Sequence, residues 1–295
     1  MSELPTWGDT PILVGDHIEN PGNVDCLRAA AALFDVPCGF VGDTSSVDAL
    51  AAIGVPIVAV ENEDGADDLF KLRPIGGRFA IVVGNERTGV SRELLRRADR
   101  VVQIRVRSTT LNCLNVAAAA AIALYRLAGH GGQIATRGGR TGGRPTVLIA
   151  GVADAIELGS AIRSAACLGW TEVCVDDRRG AWFDVDRVTR SLGRGAARRG
   201  RNPIRVRPPP TAPAAFDEVC VVGTDGDHDG EPLRRADLAR GPRQLVVLGE
   251  PDAGALARLA PHVRRVRIEV AVAPRVRRFR LEASIALAEI ARQVG

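Results

Sequence analysis

Two groups of residues in this chain have types and spacings suited to chemistry. The first is Ala80-Ile-Val-Val-Gly-Asn-Glu-Arg-Thr-Gly89, an apolar run that stops at a turn with glycine at either end and Glu86 inside it. About twenty residues later, after Ile104, Cys113-Leu-Asn-Val-Ala-Ala-Ala119 opens an alanine-rich stretch behind a polar step at Asn115. Taken singly, Gly84 and Gly89 shape a strand-to-helix turn, Glu86 compensates a helix N-terminus and Asn115 caps a helix. The second group is Arg187, Arg190, Arg194, Arg198, Arg199, Arg201, Arg205 and Arg207, eight arginines with no acid between Arg187 and Arg207. A guanidinium fork suits bidentate phosphate contacts and stacking on bases, so this run is expected to bind the backbone of a nucleic acid.

The elements that must position these groups can be read from pattern. The apolar run over Ala80–Val83 is a buried strand, and Val116 onward is a helix. A 3-4-4 spacing from Arg187 to Arg198 would line one helical face, although Gly193, Gly195 and Gly200 weaken a helix there. Residues 131–145 are glycine-rich and partly basic with no hydrophobic period, which makes them a linker near the middle of the chain. Apolar runs reopen on both sides of it, Ile12-Leu-Val-Gly15 early and Val147-Leu-Ile-Ala-Gly151 late.

Residue-by-residue comparison of the halves then reveals a repeat. Glu157 through Trp170 aligns without a gap on Asn23 through Val36, Val247–Gly254 on Val82–Gly89, and Phe279–Ala291 on Val116–Ala128. Domains are therefore expected at 1–130 and 146–295.

Composition sets wider bounds. The chain has 295 residues, 46% of them hydrophobic, which describes soluble globular material long enough for two domains. No apolar stretch is of membrane-spanning length, and the N-terminus has neither a basic nor an apolar targeting region, so a cytoplasmic protein is expected. Six scattered cysteines without a C-x-x-C pair, and four isolated histidines, fit reduced thiols and no metal site. Residues 1–140 hold 14 Lys+Arg against 16 Asp+Glu, and residues 141–295 hold 25 against 19. The basic surface thus belongs to the second half.

Together with Asn20-Pro-Gly-Asn23, the turn at Gly84–Gly89 and the Ile104 to Asn115 segment resemble the three ordered motifs of the TrmH (SpoU) branch of the SPOUT RNA methyltransferases. The resemblance is specific over residues 16–128 and weaker over 146–293. It implies an α/β fold with a deep trefoil knot, here as two tandem SPOUT-like domains packed as an intramolecular pseudo-dimer, so that the chain would be a monomer. It implies S-adenosylmethionine as cofactor, held by Val83, Gly84, Asn85, Gly89, Ile104, Val106 and Leu114. The expected activity is 2′-O-ribose methylation of tRNA or rRNA. Alternatives are a catalytically silent RNA-binding protein, or a methyltransferase acting on a base or a small metabolite.

A ribose hydroxyl keeps its proton at neutral pH, so a group must stabilise the developing alkoxide or accept that proton. In the family a first-motif arginine has that role, six residues after the motif's asparagine. Asn23 is present here, but Ala29 stands at the arginine position and Arg28 one residue early. The second half shows the reverse: Gly159 and Arg163-Ser164-Ala165 match, Glu157 replaces the asparagine, Pro251 replaces Glu86, and Arg277-Arg278 replace Leu114-Asn115. Arg163, Arg28, Asn23, Glu86 and Asn115 are therefore the catalytic candidates, with a working cofactor site in the first half and Arg163 contributed by the second. Arg105-Val106-Arg107 departs from the family's usual Pro-Met step.

Overall fold

The computed structural model describes residue 4 and residues 8–128, 143–183, 187–224, 230–271 and 278–295, with backbone alone for 187–191. Residues 131–142 of the expected linker and Arg277 lie outside that set. The described chain forms two compact units. One comprises Met1–Arg105, Asn115–Gly132 and Val270–Val276, and the other comprises Val106–Leu114, Gln133–Glu269 and Arg277–Gly295. The short segment Val106–Leu114 therefore packs with the second unit although the chain on both sides of it belongs to the first.

The first unit alternates strands and helices in the order β1 (Ile12–Asp16), α1 (Pro21–Leu33), β2 (Cys38–Val41), α2 (Thr44–Ala52), β3 (Ile57–Val60), β4 (Asp67–Asp68), β5 (Ala80–Val83), α3 (Arg92–Arg97), β6 (Arg100–Gln103) and α4 (Val116–Leu127). All pairings are parallel, in the spatial order β2-β1-β5-β3-β6-β4. Parallel sheets are covered on both faces, which is why β3 and β5 are unbroken apolar runs and β1 is uncharged up to Asp16, with every residue of the three strands buried. Helix α1 begins where Asn20 accepts a hydrogen bond from Gly22 N with proline at the first helical position. Helix α4 is almost wholly buried, and its alanines allow close packing on the strands.

The second unit runs β7 (Thr146–Ala150), α5 (Ala155–Cys167), β8 (Glu172–Asp176), α6 (Arg187–Ala196), β9 (Arg205–Arg207), β10 (Glu218–Gly223), β11 (Glu231–Pro232), β12 (Gln244–Gly249), α7 (Ala253–Leu259), β13 (Val263–Arg267) and α8 (Phe279–Val294). Its parallel sheet has the order β9-β8-β7-β12-β10-β13-β11. With β7, β8, β10, β11, β12 and β13 set against β1, β2, β3, β4, β5 and β6, the two orders coincide, and β9 is an extra edge strand. Helices α1 and α5 each have 13 residues and correspond end to end under the ungapped alignment.

Helix α6 forms despite its glycines. A Cβ at Gly159 of α5 would lie 2.1 Å from the Gly193 carbonyl oxygen, so glycine at 159 is needed for the close approach of the two helices, and a Cβ at Gly193 would press on Ala155 O at 3.0 Å. The expected single arginine face ends early. The helix stops at Ala196, and Arg198 turns the chain with φ +50°, so the 3-4-4 row is helical only as far as Arg194. Among the described residues no helix is long and apolar enough to cross a membrane.

Candidate functional site

In the first unit, strand β5 ends at a tight loop. Asn85 N donates to Gly89 O (3.0 Å) and Gly89 N donates to Asn85 O (2.9 Å), closing the turn on itself. A Cβ at Gly84 would lie 2.0 Å from the Gly89 carbonyl carbon and 2.1 Å from Val90 N, so only glycine permits this closure. Gly89 has φ +73°, the left-handed region that glycine occupies without strain. The Asn85 side chain braces the loop from inside, accepting from Arg87 N (2.8 Å) and donating to His17 O (2.7 Å).

Two carboxylates hold the far side of this loop. Glu61, just past β3, accepts from Val90 N at 2.6 Å, and fully buried Asp16, at the end of β1, accepts from Ser91 N at 2.6 Å. Both acids stand at the carboxyl ends of strands, where open parallel α/β sheets place their ligand crevice. Sequence reading passed over them. The available signal was that each is the first acid after an apolar run, Ile12–Gly15 and Ile57–Val60.

Glu86 sits within the loop, and its Oε2 is buried with no hydrogen-bond partner among the described residues. A buried carboxylate oxygen without a donor costs free energy, which a ligand bearing hydroxyl or amine donors would relieve. Val83, Gly84 and Asn85 are buried in the strand end and loop, and Ile104 is buried just beyond β6.

Asn115 caps α4 by accepting from Ala117 N (3.0 Å), and its Nδ2 donates to Asn23 Oδ1 on α1 at 3.1 Å. The first and third sequence motifs, 92 residues apart, thus meet through side chains. Arg28 lies elsewhere on the same helix. It is exposed, with its guanidinium 5.5 Å from the centre of the Phe40 ring, and α1 runs through it without a register change.

In the second unit, buried Arg163 grips the segment that leads into Asn115. Its Nε and Nη2 donate to Cys113 O (3.1 and 2.8 Å), and Nη2 also reaches Leu114 O (3.1 Å) and Cys113 Sγ (3.1 Å). Burial, and then the nearby Arg198 charge, push this guanidinium below its ordinary pKa. Cys167 Sγ donates to the same Cys113 carbonyl at 3.3 Å, and burial pushes its thiol up to about 12. Val106 and Leu114 pack against Leu111, Ala166 and Cys167.

The second unit's counterpart of the Asn23–Asn115 contact has a different chemistry. Glu157, at the position of Asn23, accepts from Arg280 N (2.8 Å) and Arg280 Nε (2.7 Å) at the start of α8. A charge-assisted pair thus engages the position of Asn23, its partner Arg280 standing two residues beyond Arg278, the counterpart of Asn115.

Of the arginine run, Arg194 and Arg198 are half-buried, whereas Arg199 and Arg201 are exposed on a 3-10 turn, Arg199–Arg201. The side chains of Arg187 and Arg190 lie outside the described residues. Among the described residues no group of three or more His, Cys, Asp or Glu is placed to hold a metal ion.

Residues 11–125 match the SpoU rRNA Methylase family. A curated relative is the 23S rRNA (guanosine(2553)-2′-O)-methyltransferase RlmP of Bacillus subtilis, 34% identical over 119 residues, which are 40% of this chain and 47% of that protein. The chain therefore spans about half the length of the curated relative it matches. Among solved structures, a putative RNA methyltransferase of the TrmH family from Porphyromonas gingivalis is 21% identical with a TM-score of 0.36, covering 41% of this chain and 61% of that one. The SpoU methyltransferase AviRb from Streptomyces viridochromogenes, in complex with AdoMet, is 23% identical with a TM-score of 0.34, covering 41% and 58%.

Proposed function

Given a SpoU methylase segment over residues 11–125, we propose that this chain is an S-adenosylmethionine-dependent RNA methyltransferase acting on a ribose 2′-hydroxyl of tRNA or rRNA. The observation that carries the reading is the 3.1 Å hydrogen bond between Asn23 and Asn115, which joins the first and third motifs in the unit that holds the Gly84–Gly89 turn. The named relative supports the choice of ribose, since its own product is a 2′-O-methylated guanosine.

The residues present fit the cofactor. Val83, Gly84, Asn85, Gly89 and Ile104 would hold it, with the unsatisfied Glu86 Oε2 available to a hydroxyl or amine donor. Val106 and Leu114 are candidates on the family resemblance alone. When bound, S-adenosylmethionine supplies an electrophilic methyl group, so the protein must chiefly align the nucleophile and exclude water. The Asn115–Asn23 bond fixes the start of α4, and the Asp16 and Glu61 carboxylates fix Ser91 and Val90, so the loops are braced by this chain's own residues. A guanidinium stabilises a developing alkoxide more readily than it removes a proton, because its pKa lies above about 12. Arg28 and Arg163 are candidates for that charge on the family resemblance alone, and the Arg163 Nε and Nη2 donors engage the Cys113 and Leu114 carbonyls.

The second half is read as a degenerate copy fused in tandem, which the common strand order and the matching 13-residue helices support. The Glu157–Arg280 pair, which ties up the residue at the position of Asn23, argues against a second cofactor there. The exposed placement of Arg28 over Phe40 favours one rival, a catalytically silent RNA-binding protein.

Incubation with S-adenosylmethionine and a tRNA and rRNA mixture, followed by nuclease digestion and nucleoside mass analysis, tests the proposal. A 2′-O-methylated nucleoside is expected. A base-methylated nucleoside overturns the ribose assignment, and cofactor binding without any methylated product favours the silent rival.

A further inference from the structure

The second unit contains a pocket of about 510 Å³ remote in sequence from the three motifs, lined in part by Trp182, Phe183, Arg194, Arg199, Asn202 and Arg205. It is built on β9, the edge strand that the first unit lacks. One wall is the loop after β8. There the Asp177 carboxylate accepts from Ala181 N (2.7 Å), Trp182 N (2.9 Å) and Phe183 N (2.6 Å), so a single acid fixes the backbone that carries both aromatic rings. A second part of the lining is pinned by Asn202, which donates to Ala197 O (2.9 Å) and accepts from Ile204 N (3.1 Å).

The charge of the lining has one sign. Four arginines contribute to it, and no carboxylate does among the described residues. Arg207 is paired with Glu172 at 2.8 Å, which places that cation at the β8 edge. Phe183 is 44% exposed, so its ring is accessible to a ligand while its backbone is held by Asp177. The volume falls within the usual range for small-ligand sites, roughly 300–1,000 Å³.

A planar ring to stack on the aromatics and an anionic group for the arginines are together the features of a nucleotide. In a duplex the base faces are already stacked and out of reach, whereas an unpaired strand offers both parts at once. We propose that this pocket takes one unstacked nucleotide of a single RNA strand, its base against Trp182 and Phe183 and its phosphate toward Arg199 and Arg205. The assignment rests on the reading of the chain as an RNA-modifying protein, and it gives the second unit a reason to keep a built site after losing the cofactor residues.

The test uses the full chain with a labelled single-stranded oligoribonucleotide, the same sequence as a duplex, and adenosine 5′-monophosphate. Binding is read by anisotropy and by tryptophan fluorescence. Expected are preferential binding of the single strand, quenching that disappears in Trp182→Phe while affinity is kept, and about tenfold weaker binding in Phe183→Ala with its salt dependence unchanged. Replacing Arg199 and Arg205 by alanine should lower the slope of log affinity against log salt by roughly 0.7 for each lost phosphate contact. Wild-type affinity in Phe183→Ala, or equal binding of the duplex, overturns the assignment. Saturation by the mononucleotide at the oligonucleotide's affinity overturns the RNA strand as the occupant. Cofactor titration on the same preparations separates the two proposals: intact cofactor binding beside an unaffected Phe183→Ala removes the pocket alone, whereas absent cofactor binding removes the methyltransferase reading.

Discussion

Replacing Arg163 by alanine asks what the second unit's motif-matching arginine does. The substitution removes the donors to Cys113 O and Leu114 O, while Cys113 O keeps the Cys167 thiol at 3.3 Å. A hydrogen bond from a charged donor contributes about 1.5–3 kcal/mol net. Two carbonyls are affected and one retains a weak donor, so the gross loss is about 3–5 kcal/mol. Burying the guanidinium itself is unfavourable, as its depressed pKa indicates, and removing it returns part of that cost. A net destabilisation of about 2–4 kcal/mol follows, equivalent to roughly 4–16 °C in melting temperature for a unit of this size. Scanning calorimetry with and without S-adenosylmethionine measures it. Arg163→Lys, which can restore one of the carbonyl contacts, should recover part of the loss. If Arg163 works through this segment, cofactor affinity should fall together with stability. An unchanged melting temperature and cofactor affinity, with methyl transfer reduced 10²- to 10³-fold, would refute this reasoning and place the guanidinium at the reacting oxygen instead.

Other outcomes follow from the same geometry. Gly84→Ala puts a Cβ 2.0 Å from the Gly89 backbone, so the loop must open; a loss of about 2–4 kcal/mol in stability and loss of detectable cofactor binding in calorimetry are expected. The Cys38, Cys167 and Cys220 thiols are each pushed up to about 12 by burial, so almost none of their thiolate forms at pH 8. Mass spectrometry after iodoacetamide treatment of the native protein should find these three unmodified, and their rapid alkylation would contradict the packing around them.

Those parts of the fold set by local signals were readable in the sequence. The buried strand ending at Gly84, the Asn115 cap and the α1/α5 correspondence each depend on a few neighbouring residues, and each is present in the structure. Contacts between distant segments were not readable. Asp16 and Glu61 look like ordinary acids after a strand until the fold brings the Val90 and Ser91 amides to them. Arg163 matched a motif, but nothing local indicated that its donors meet carbonyls 49 and 50 residues away. The arginine row from Arg187 to Arg198 suggested a continuous face, which the left-handed turn at Arg198 interrupts. Trp182 and Phe183 drew no notice because their importance comes from Asp177 and from an edge strand too short to stand out by periodicity.

Titration calorimetry of the full chain with S-adenosylmethionine tests most directly whether the first unit alone holds a cofactor. The Gly84–Gly89 turn, the Asn23–Asn115 bond and the Glu157–Arg280 pair in the second unit lead to one expected result: a stoichiometry of one per chain, lost in Gly84→Ala. A stoichiometry of two, or none for the wild-type chain, would contradict it.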